Sequence, residues 1–470
     1  VGSLTSLFDV ARSALASDQL ALSVTSNNVA NQNTVGYTRQ VVSFSSLDSV
    51  TLSNSGGTGS SATVTASESS KRDRVLEQRV QQQTQTQAST SAESDVLSGI
   101  QNVFSLSTSS DTSGSTAIGA ALDTFYSSLS SLASNPSDTT TRAAVLSAAN
   151  SLAGAFNSAS TQLSSIQNSI NGTLGSSIQQ VNALTSTIAQ LNAQITASSP
   201  GQDAGTLEDQ RQSAIAQLSQ YVGLNQIQTE SNGLTLTTTG GTVLVAGSQA
   251  TALTAATSGN KTIIQNASGT DISAGVTGGS IGGQLQAQNT DLPAVQTALD
   301  AVAYRVATAV NAQNEAGVDA SGNPGSAIFQ VGSSTAGAAA TISVIASGPS
   351  AVAAAAAGEG SLGSTNANAL AALVNSTDSS GQTVDGQFGT LIGGIGSQAA
   401  ALSEQNTTQS ASLSQLTTQR DSISAVSLDD EAANLTQYQR SYEAAAKVLS
   451  VLDSLLGDAL NLGQETTYST

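Results

Sequence analysis

From Leu435 to Ala459 the apolar side chains fall at Leu435, Tyr438, Tyr442, Ala445, Leu449, Leu452, Leu456 and Ala459. The gaps alternate three and four, which puts them all on one seam of a helix, as in a heptad repeat. Ser427 stands where a helix cap belongs. Asp429, Asp430 and Glu431 fill the first turn, where negative charge meets the positive end of the helix dipole. No Pro interrupts the stretch, Gly457 is its only Gly, and Gly463 marks the expected stop. About 35 residues at ~1.5 Å each make a rod of ~50 Å. So long a rod with so narrow a seam requires a partner.

The start of the chain offers one. Leu4, Phe8, Ala11, Leu15, Leu22 and Val29 step by four and three if Asp18 and Thr25 occupy two seam positions. Either stripe alone is the core face of an ordinary helix. Two of them at opposite ends of one chain predict a terminal pair, a coiled-coil-like stalk. Both seams are thin, and isolated helices are weak in water. Residues 1–30 and 430–470 are therefore expected to become helical only when neighbouring copies cover their other faces.

Composition removes several function classes. The 470 residues include no Cys, His, Met or Trp, so disulfides, thiolate metal sites and an imidazole base are excluded. No apolar run of about 18 residues predicts a transmembrane helix. The N-terminal stretch lacks the basic region, apolar run and small-residue cleavage site of a Sec-type signal, so no cleaved signal peptide is expected. Thirteen Lys and Arg against 32 Asp and Glu give a net charge of −19, which opposes binding to nucleic acid or anionic membrane. Only 10% of residues are charged. A surface of Ser, Thr, Gln and Asn packs against copies of itself with little charge to desolvate.

Between the ends, most of the chain carries helical periodicity. Helices are expected over 68–106, 120–133 and 139–152, with a long helix or two over 151–196. Leu163, Ile166, Ile170, Leu174, Ile178, Val181, Leu184, Ile188, Leu191 and Ile195 hold the gaps of that long stretch, and Gly172 and Gly175 are mild weak points. A further helix is expected over 205–221. Gln40 to Phe44 alternates as a short strand, and residues 53–61 read as a loop. From Leu224 to Gly283 the chain turns to Thr, Val, Ile and Gly, with a Gly240-Gly241 hairpin turn between alternating runs. Helix resumes at Gln284, with loop and short strand over 317–349, helical pieces over 351–357 and 366–374, a Gly/Ser loop, and a last bundle helix over 398–423. The fold class expected is mainly α with an inserted β-domain. Residues 1–35 and 428–470 form the terminal stalk, 36–223 and 284–427 the helical bundle with short strands, and 224–283 the inserted β-rich domain.

Candidate chemistry is sparse. Asp319-Ala-Ser-Gly-Asn323 lacks the closing Glu of a calcium loop and reads as a polar turn. Glu208 and Asp209 begin a helix, where acids suit the dipole, and Asp429, Asp430 and Glu431 read as capping acids. Lys71, Arg72 and Arg74 form the one basic cluster, which suits salt bridges within the bundle or across subunits. No phosphate loop occurs. The catalytic, cofactor and metal assignments are therefore none. A secreted hydrolase working through paired carboxylates is the alternative class, and no acid pair is placed for it.

Asn28, Ala30 and Asn31, followed by Thr34, Gly36, Tyr37 and Arg39, resemble the N-terminal signature of bacterial flagellar axial proteins. Glu431, Asn434, Leu435, Tyr438, Gln439, Tyr442 and Ala444 to Lys447 resemble the closing motif of the same superfamily. Three internal segments narrow the likeness: Leu129 to Leu146, Gly282-Gly283-Gln284-Leu285 read as a turn, and Asn311 to Gly325. They are similar to the family of flagellar hook-associated protein 1, the first hook–filament junction protein, and the likeness runs from Ser3 to Leu462. It departs in the β-region, which is short and low in complexity. The resemblance implies a structural subunit outside the cell, exported by the flagellar type III apparatus. It also implies copies assembled in a ring on the hook, contacting hook protein and serving as adaptor for the second hook–filament junction protein and the filament. An export chaperone at the C-terminal helix is implied as well. Another axial component, such as the second junction protein, is the alternative within the superfamily.

Overall fold

A computed structural model describes residues 2–34, 36–46, 64–105, 116–197, 205–228, 234–360 and 363–465. Helix α1 (Gly2–Asn31) leads into an antiparallel hairpin of β1 (Gln40–Ser46) and β2 (Val64–Ser70), with Gln40 opposite Ser70. The loop expected over 53–61 lies outside the described residues. The helix expected from residue 68 begins later, as α2 (Arg74–Ser105). Residues 68–70 are held in β2 by the ladder to β1, so pairing overrides local propensity. Asp73 then caps α2, its Oδ1 accepting from the N–H groups of Val75 and Leu76 at 3.0 Å each.

Helix α3 (Ala117–Ser134) starts where the Thr116 side chain accepts from Gly119 N–H, and ends before Asn135-Pro136. Helix α4 (Thr139–Ala197) is one continuous 59-residue helix, about 90 Å long at ~1.5 Å per residue. It is the spine of the molecule. Its stripe of Leu152, Phe156, Leu163, Ile170, Leu174, Ile178, Val181, Ile188 and Ile195 is buried along the whole length. Helix α5 (Thr206–Tyr221) folds back along it.

The β-region is fastened to α4. Strands β3 (Leu224–Gln228), β4 (Leu234–Thr238), β5 (Val243–Ala246) and β6 (Gln249–Ala250) make an antiparallel sheet in that order, and β7 (Thr254–Ser258) and β8 (Lys261–Gln265) a separate hairpin. The last described strand of this region ends well before Gly283. Helix α6 (Gly279–Gln286), one π-helical turn (Ala287–Asp291) and α7 (Leu292–Glu315) follow as a continuous rod. Gly282 to Leu285, expected as a turn, are therefore helical. The chain instead reverses at Gly278 and Gly279, both at positive φ. Gly283 is needed for approach: a Cβ there would lie 2.0 Å from the Ser89 carbonyl oxygen of α2.

Two small pairs, β9 (Gly317–Val318) with β12 (Ala355–Ala356) and β10 (Phe329–Gln330) with β11 (Ser343–Val344), frame the short α8 (Ala338–Thr341). Residues 351–357 are not helical as expected. After a 3₁₀ turn they run extended, because side chains satisfy their backbone instead. Asn314 Oδ1 accepts from Ala353 N–H at 2.8 Å, Asn366 Nδ2 donates to Ala353 O at 2.7 Å, and the buried Arg142 donates to Val352 O. Helix α9 (Thr365–Ala372) precedes α10 (Val384–Ser424), which starts earlier than expected and takes in the later part of the Gly/Ser loop, while residues 376–383 remain loop. Thr383 caps it, and the buried Val384, Phe388, Leu391, Ile395 and Leu402 outweigh the helix cost of its glycines. Helix α11 (Leu428–Glu465) returns to α1 and runs past Gly463.

Glycine substitutions separate packing from propensity. Gly283→Ala is expected to lower stability by about 1–3 kcal/mol, since α2 backbone must move. Gly172→Ala, where a Cβ meets nothing within 4 Å, is expected to raise it by roughly 0.5–1 kcal/mol. Urea unfolding of the two variants beside the parent checks both signs.

Candidate assembly site: the terminal stalk and its polar base

Helices α1 and α11, expected to become helical only when neighbouring copies cover them, are helical in the single chain and lie side by side, and the hairpin β1–β2 rests against α1. On α11 Leu452 is buried, while Leu435, Tyr438, Ala445, Leu449 and Leu456 are half-buried and Tyr442 is exposed. The Ala459 and Leu4 side chains lie outside the described residues. On α1 Ala11 is buried and Phe8, Leu15 and Leu22 are half-buried. Val29 departs from expectation, being 40% exposed. The buried face of α1 is rotated away from the apolar stripe and carries Ser17, Asp18, Ala21, Val24, Thr25 and Asn28. Its polar members have partners. Ser441 Oγ donates to Asp18 Oδ2 at 2.8 Å across the seam, and Ser17 Oγ donates to Val64 O in the hairpin at 3.4 Å. Phe44 of β1 meets Tyr438 of α11 with ring centroids 6.0 Å apart.

The axial motif builds the base of this stalk. Asn28 uses both ends of its amide. Its Oδ1 accepts from Gln40 N–H and Tyr37 Oη–H at 2.9 Å each, and its Nδ2 donates to Gln40 O at 2.8 Å and Glu431 Oε2 at 3.2 Å. Arg39 Nε donates to Glu431 Oε1 at 2.7 Å, and its Nη1 reaches Asp430 Oδ2 at 3.3 Å. The Arg39 N–H donates to Ser424 O at 2.9 Å, so the turn between α10 and α11 is held as well. Asn31 and Thr34 shape the turn itself, with Thr34 N–H donating to Asn31 O at 2.9 Å, and Gly36 supplies a φ of 84°. Ala30 is exposed and makes none of these contacts.

A second buried carboxylate ties this base to the bundle. Asp209 of α5 accepts from Thr38 N–H at 3.3 Å and Gln40 Nε2 at 3.2 Å, and pairs with Arg72. Burial pushes the Asp209 carboxyl up, against the opposing pull of Arg72 and these donors. Beside it the Tyr37 phenol is pushed up to about 12, by burial first and then by Asp209, Glu68 and Glu431. Glu208 contacts Arg211 at 4.0 Å, and Arg211 Nη1 donates to Asn192 Oδ1 at 3.0 Å. Glu431 and Asp209 therefore do more than meet a helix dipole, as the sequence alone had it. Each is a tertiary partner. Arg72, from the basic cluster expected to make salt bridges within the bundle, does so with Asp209, and Gln40 is the member that no local signal singles out, because its partner Asp209 lies on another element.

Beside the closed seam, α11 carries a second stripe. Val448, Val451 and Leu455 are 51%, 55% and 48% exposed, and on α1 Leu7 is exposed too. Among the described residues no group of three or more acids is placed to hold a metal ion.

Asn28→Ala leaves the buried Gln40 backbone without its partner. It is expected to cost about 1–3 kcal/mol for each buried group left unpaired, measured by urea unfolding. Tyr37→Phe tests the electrostatics. A phenol raised in the folded state keeps its proton longer than in the unfolded chain, so stability falls as pH rises from the ordinary phenol value near 10 through about 12. Removing it is expected to cost about 1 kcal/mol at neutral pH and to flatten that alkaline fall. Unfolding midpoints on either side of the window give the comparison.

The family described as the flagellar hook-associated protein FlgK helical domain matches residues 97–329. Residues 8–38 match the flagella basal body rod protein family, and residues 418–462 the flagellar basal body rod FlgEFG protein C-terminal family. Flagellar hook-associated protein 1 of Salmonella typhimurium is 27% identical, over 98% of this chain and 100% of its own length. The protein of that name in Bacillus subtilis is 29% identical, over 97% of this chain and 99% of its own. A solved structure of the flagellar hook junction protein FlgK from Burkholderia pseudomallei has the same fold, with a TM-score of 0.66 at 21% identity over 73% of this chain and 100% of that one. With the helical domain matched in the middle, rod-protein motifs at both ends and full-length relatives of one kind, the chain belongs to the flagellar hook-associated protein 1 family.

Proposed function

We propose that the chain is a structural subunit of the bacterial flagellum, assembling at the hook–filament junction as the adaptor for the next junction protein and the filament. The names carried by its relatives support the place. The observation that carries the mode of assembly is the stalk. Its inner seam closes within one chain, while Val448, Val451 and Leu455 remain outward on the same helix. A monomer gains nothing from such a stripe, whereas copies packed in a ring bury it. The low charge lets such surfaces meet with little desolvation.

The working division is a stalk of residues 1–35 and 428–470, a bundle of 36–223 and 284–427, and a β-rich insert at 224–283. The seam and axial-motif residues are its assembly elements. Its partners are copies of itself, hook protein, the second junction protein and, before export through the flagellar type III apparatus, a chaperone on the C-terminal helix. No described helix is long and apolar enough to cross a membrane. The role is structural and non-catalytic, as Asp209 and Glu208 are engaged by arginines.

Substitutions on the two faces of α11 give the test. Burial of a Leu is worth roughly 1.5–3 kcal/mol, and a buried unpaired carboxylate costs more. Leu452→Asp is expected to open the stalk and abolish assembly. Val451→Asp, on the outward stripe, is expected to leave the monomer's unfolding curve unchanged and still abolish assembly. In a strain lacking the native gene, both variants should give hooks without filaments and filament protein in the medium. Normal filaments with Val451→Asp would rule out the stripe as a subunit contact.

A further inference from the structure

Where α1, α11 and the β1–β2 hairpin meet, they leave a cavity of about 280 Å³. At ~30 Å³ per water it has room for several waters or for one long side chain. One wall is polar: Asp18 and Ser17 of α1, and Ser441 of α11. The facing wall is Val64 of β2 with the rings of Phe44 and Tyr438, whose centroids stand 6.0 Å apart and whose planes are tilted by 50°. A carboxylate set beside two aromatic rings has the chemistry of a site for an organic cation.

Asp18 is only 6% exposed. An ionised carboxyl offers about four acceptor positions. Among the described residues Asp18 uses one of them, for the Ser441 hydroxyl, and has no ion-pair partner. A carboxylate so buried is costly without a counter-ion. The cationic side chains of the stalk are Arg12, Arg440 and Lys447. All three are exposed, and among the described residues none is in an ion pair. The stalk thus holds an acid without a cation and cations without an acid.

Geometry singles out Arg440. It is level with the cavity, next to Ser441, whereas Lys447 stands about two turns further along α11 and Arg12 nearly two turns from Asp18 on α1. At about 100° per residue, Arg440 leaves α11 on the opposite side of the Val448, Val451 and Leu455 stripe from Tyr438 and Ser441. One flank of the outward stripe therefore carries the cavity, and the other carries the cation. A ring repeats one head-to-tail contact, in which a flank of each subunit meets the opposite flank of the next.

We propose that the Asp18 cavity is the socket for Arg440 of a neighbouring copy. This rests on the reading of the chain as a ring-forming subunit and specifies which groups meet. The guanidinium enters beside Phe44 and Tyr438, stacks on a ring face and donates to the Asp18 carboxylate in place of water. The pair exists only between copies, so it favours assembly and adds nothing to the stability of one chain. It also sets register: a stripe of Val and Leu can slide, and one arginine in one socket cannot.

Charge exchange in a strain lacking the native gene tests the socket. Arg440→Glu is expected to remove filaments from most cells and to leave the monomer's unfolding curve unchanged. Lys447→Glu, the same charge change away from the socket, is expected to leave filaments at the parent level. Asp18→Lys alone should also lose them. Co-expression of the Asp18→Lys chain with the Arg440→Glu chain should restore them, because each socket then finds its opposite charge on a neighbour. Restoration by both changes within one chain, but not by the mixture, would place the pair inside the subunit and overturn the proposal. Parent-level filaments with Arg440→Glu, or equal loss with Lys447→Glu, would overturn it even if Asp18→Lys fails to fold. Failure of the underlying reading looks different: the deletion strain would keep its filaments before any variant is introduced, and the socket would fall with it.

Discussion

Glu431 is where the two ends of the chain are made one. It is 1% exposed, and its oxygens accept from Arg39 and Asn28, residues 392 and 403 positions away. Neither the carboxylate nor the guanidinium tolerates that burial alone, and removing one partner of such a pair costs roughly 3–5 kcal/mol. The knot therefore fixes the angle at which α1, the hairpin and α11 leave the bundle. Asp209 repeats the device one layer further in, joining the same turn to α5 and to Arg72 at the start of α2. Stalk geometry is set by these two acids, and the apolar seam above them only has to zip.

Amide side chains do elsewhere what charges do at the base. Asn182 clamps Leu253 from both sides, donating to its O and accepting from its N–H at 2.8 Å each. Asn192 donates to Leu234 O and Gly247 O, and Asn311 binds the backbone of Ile328 and Phe329. Through such contacts the long helices read the backbone of strands and loops that have little apolar surface of their own. An amide offers both donor and acceptor and carries no charge to desolvate. A chain with 10% charged residues can thus hold a β-region to a helix without burying charge.

Periodicity made the helices legible, since a 3.6-residue repeat is local and survives without knowledge of neighbours. The 59-residue α4 and the two terminal helices are read that way. What periodicity misses is set by partners. Apolar spacing places Val29 on the α1 seam, yet Asn28 is buried and Val29 is exposed, because Gln40, Tyr37 and Glu431 give Asn28 its four contacts. Residues 351–357 read as helix by composition and run extended, because Asn314, Asn366 and Arg142 take up their backbone. The glycines early in α10 read as loop and are helical, because five apolar residues among and around them reach the core. The motif residues were visible in sequence as a pattern, and Arg72 as a salt-bridge former, but the joining of Asp209 to Arg72, Thr38 and Gln40 was not, since nothing local ties residue 209 to that turn.

The thinness of the stalk follows from the order in which contacts can close. Bringing together chain ends some 400 residues apart in an open chain costs about 5 kcal/mol of loop entropy, with the ordering of two helices added. A seam interrupted by Asp18 and Thr25 does not offset that alone. The bundle removes most of the closure cost first. Once α2 and α5 have folded, Arg72 and Asp209 present a site for Thr38 and Gln40, and α10 ends beside Arg39 through Ser424 O. The two stalk helices then start from a common base and need only zip outward. Closure of such a seam depends on the bundle. Val448, Val451 and Leu455 remain outward on the same helix.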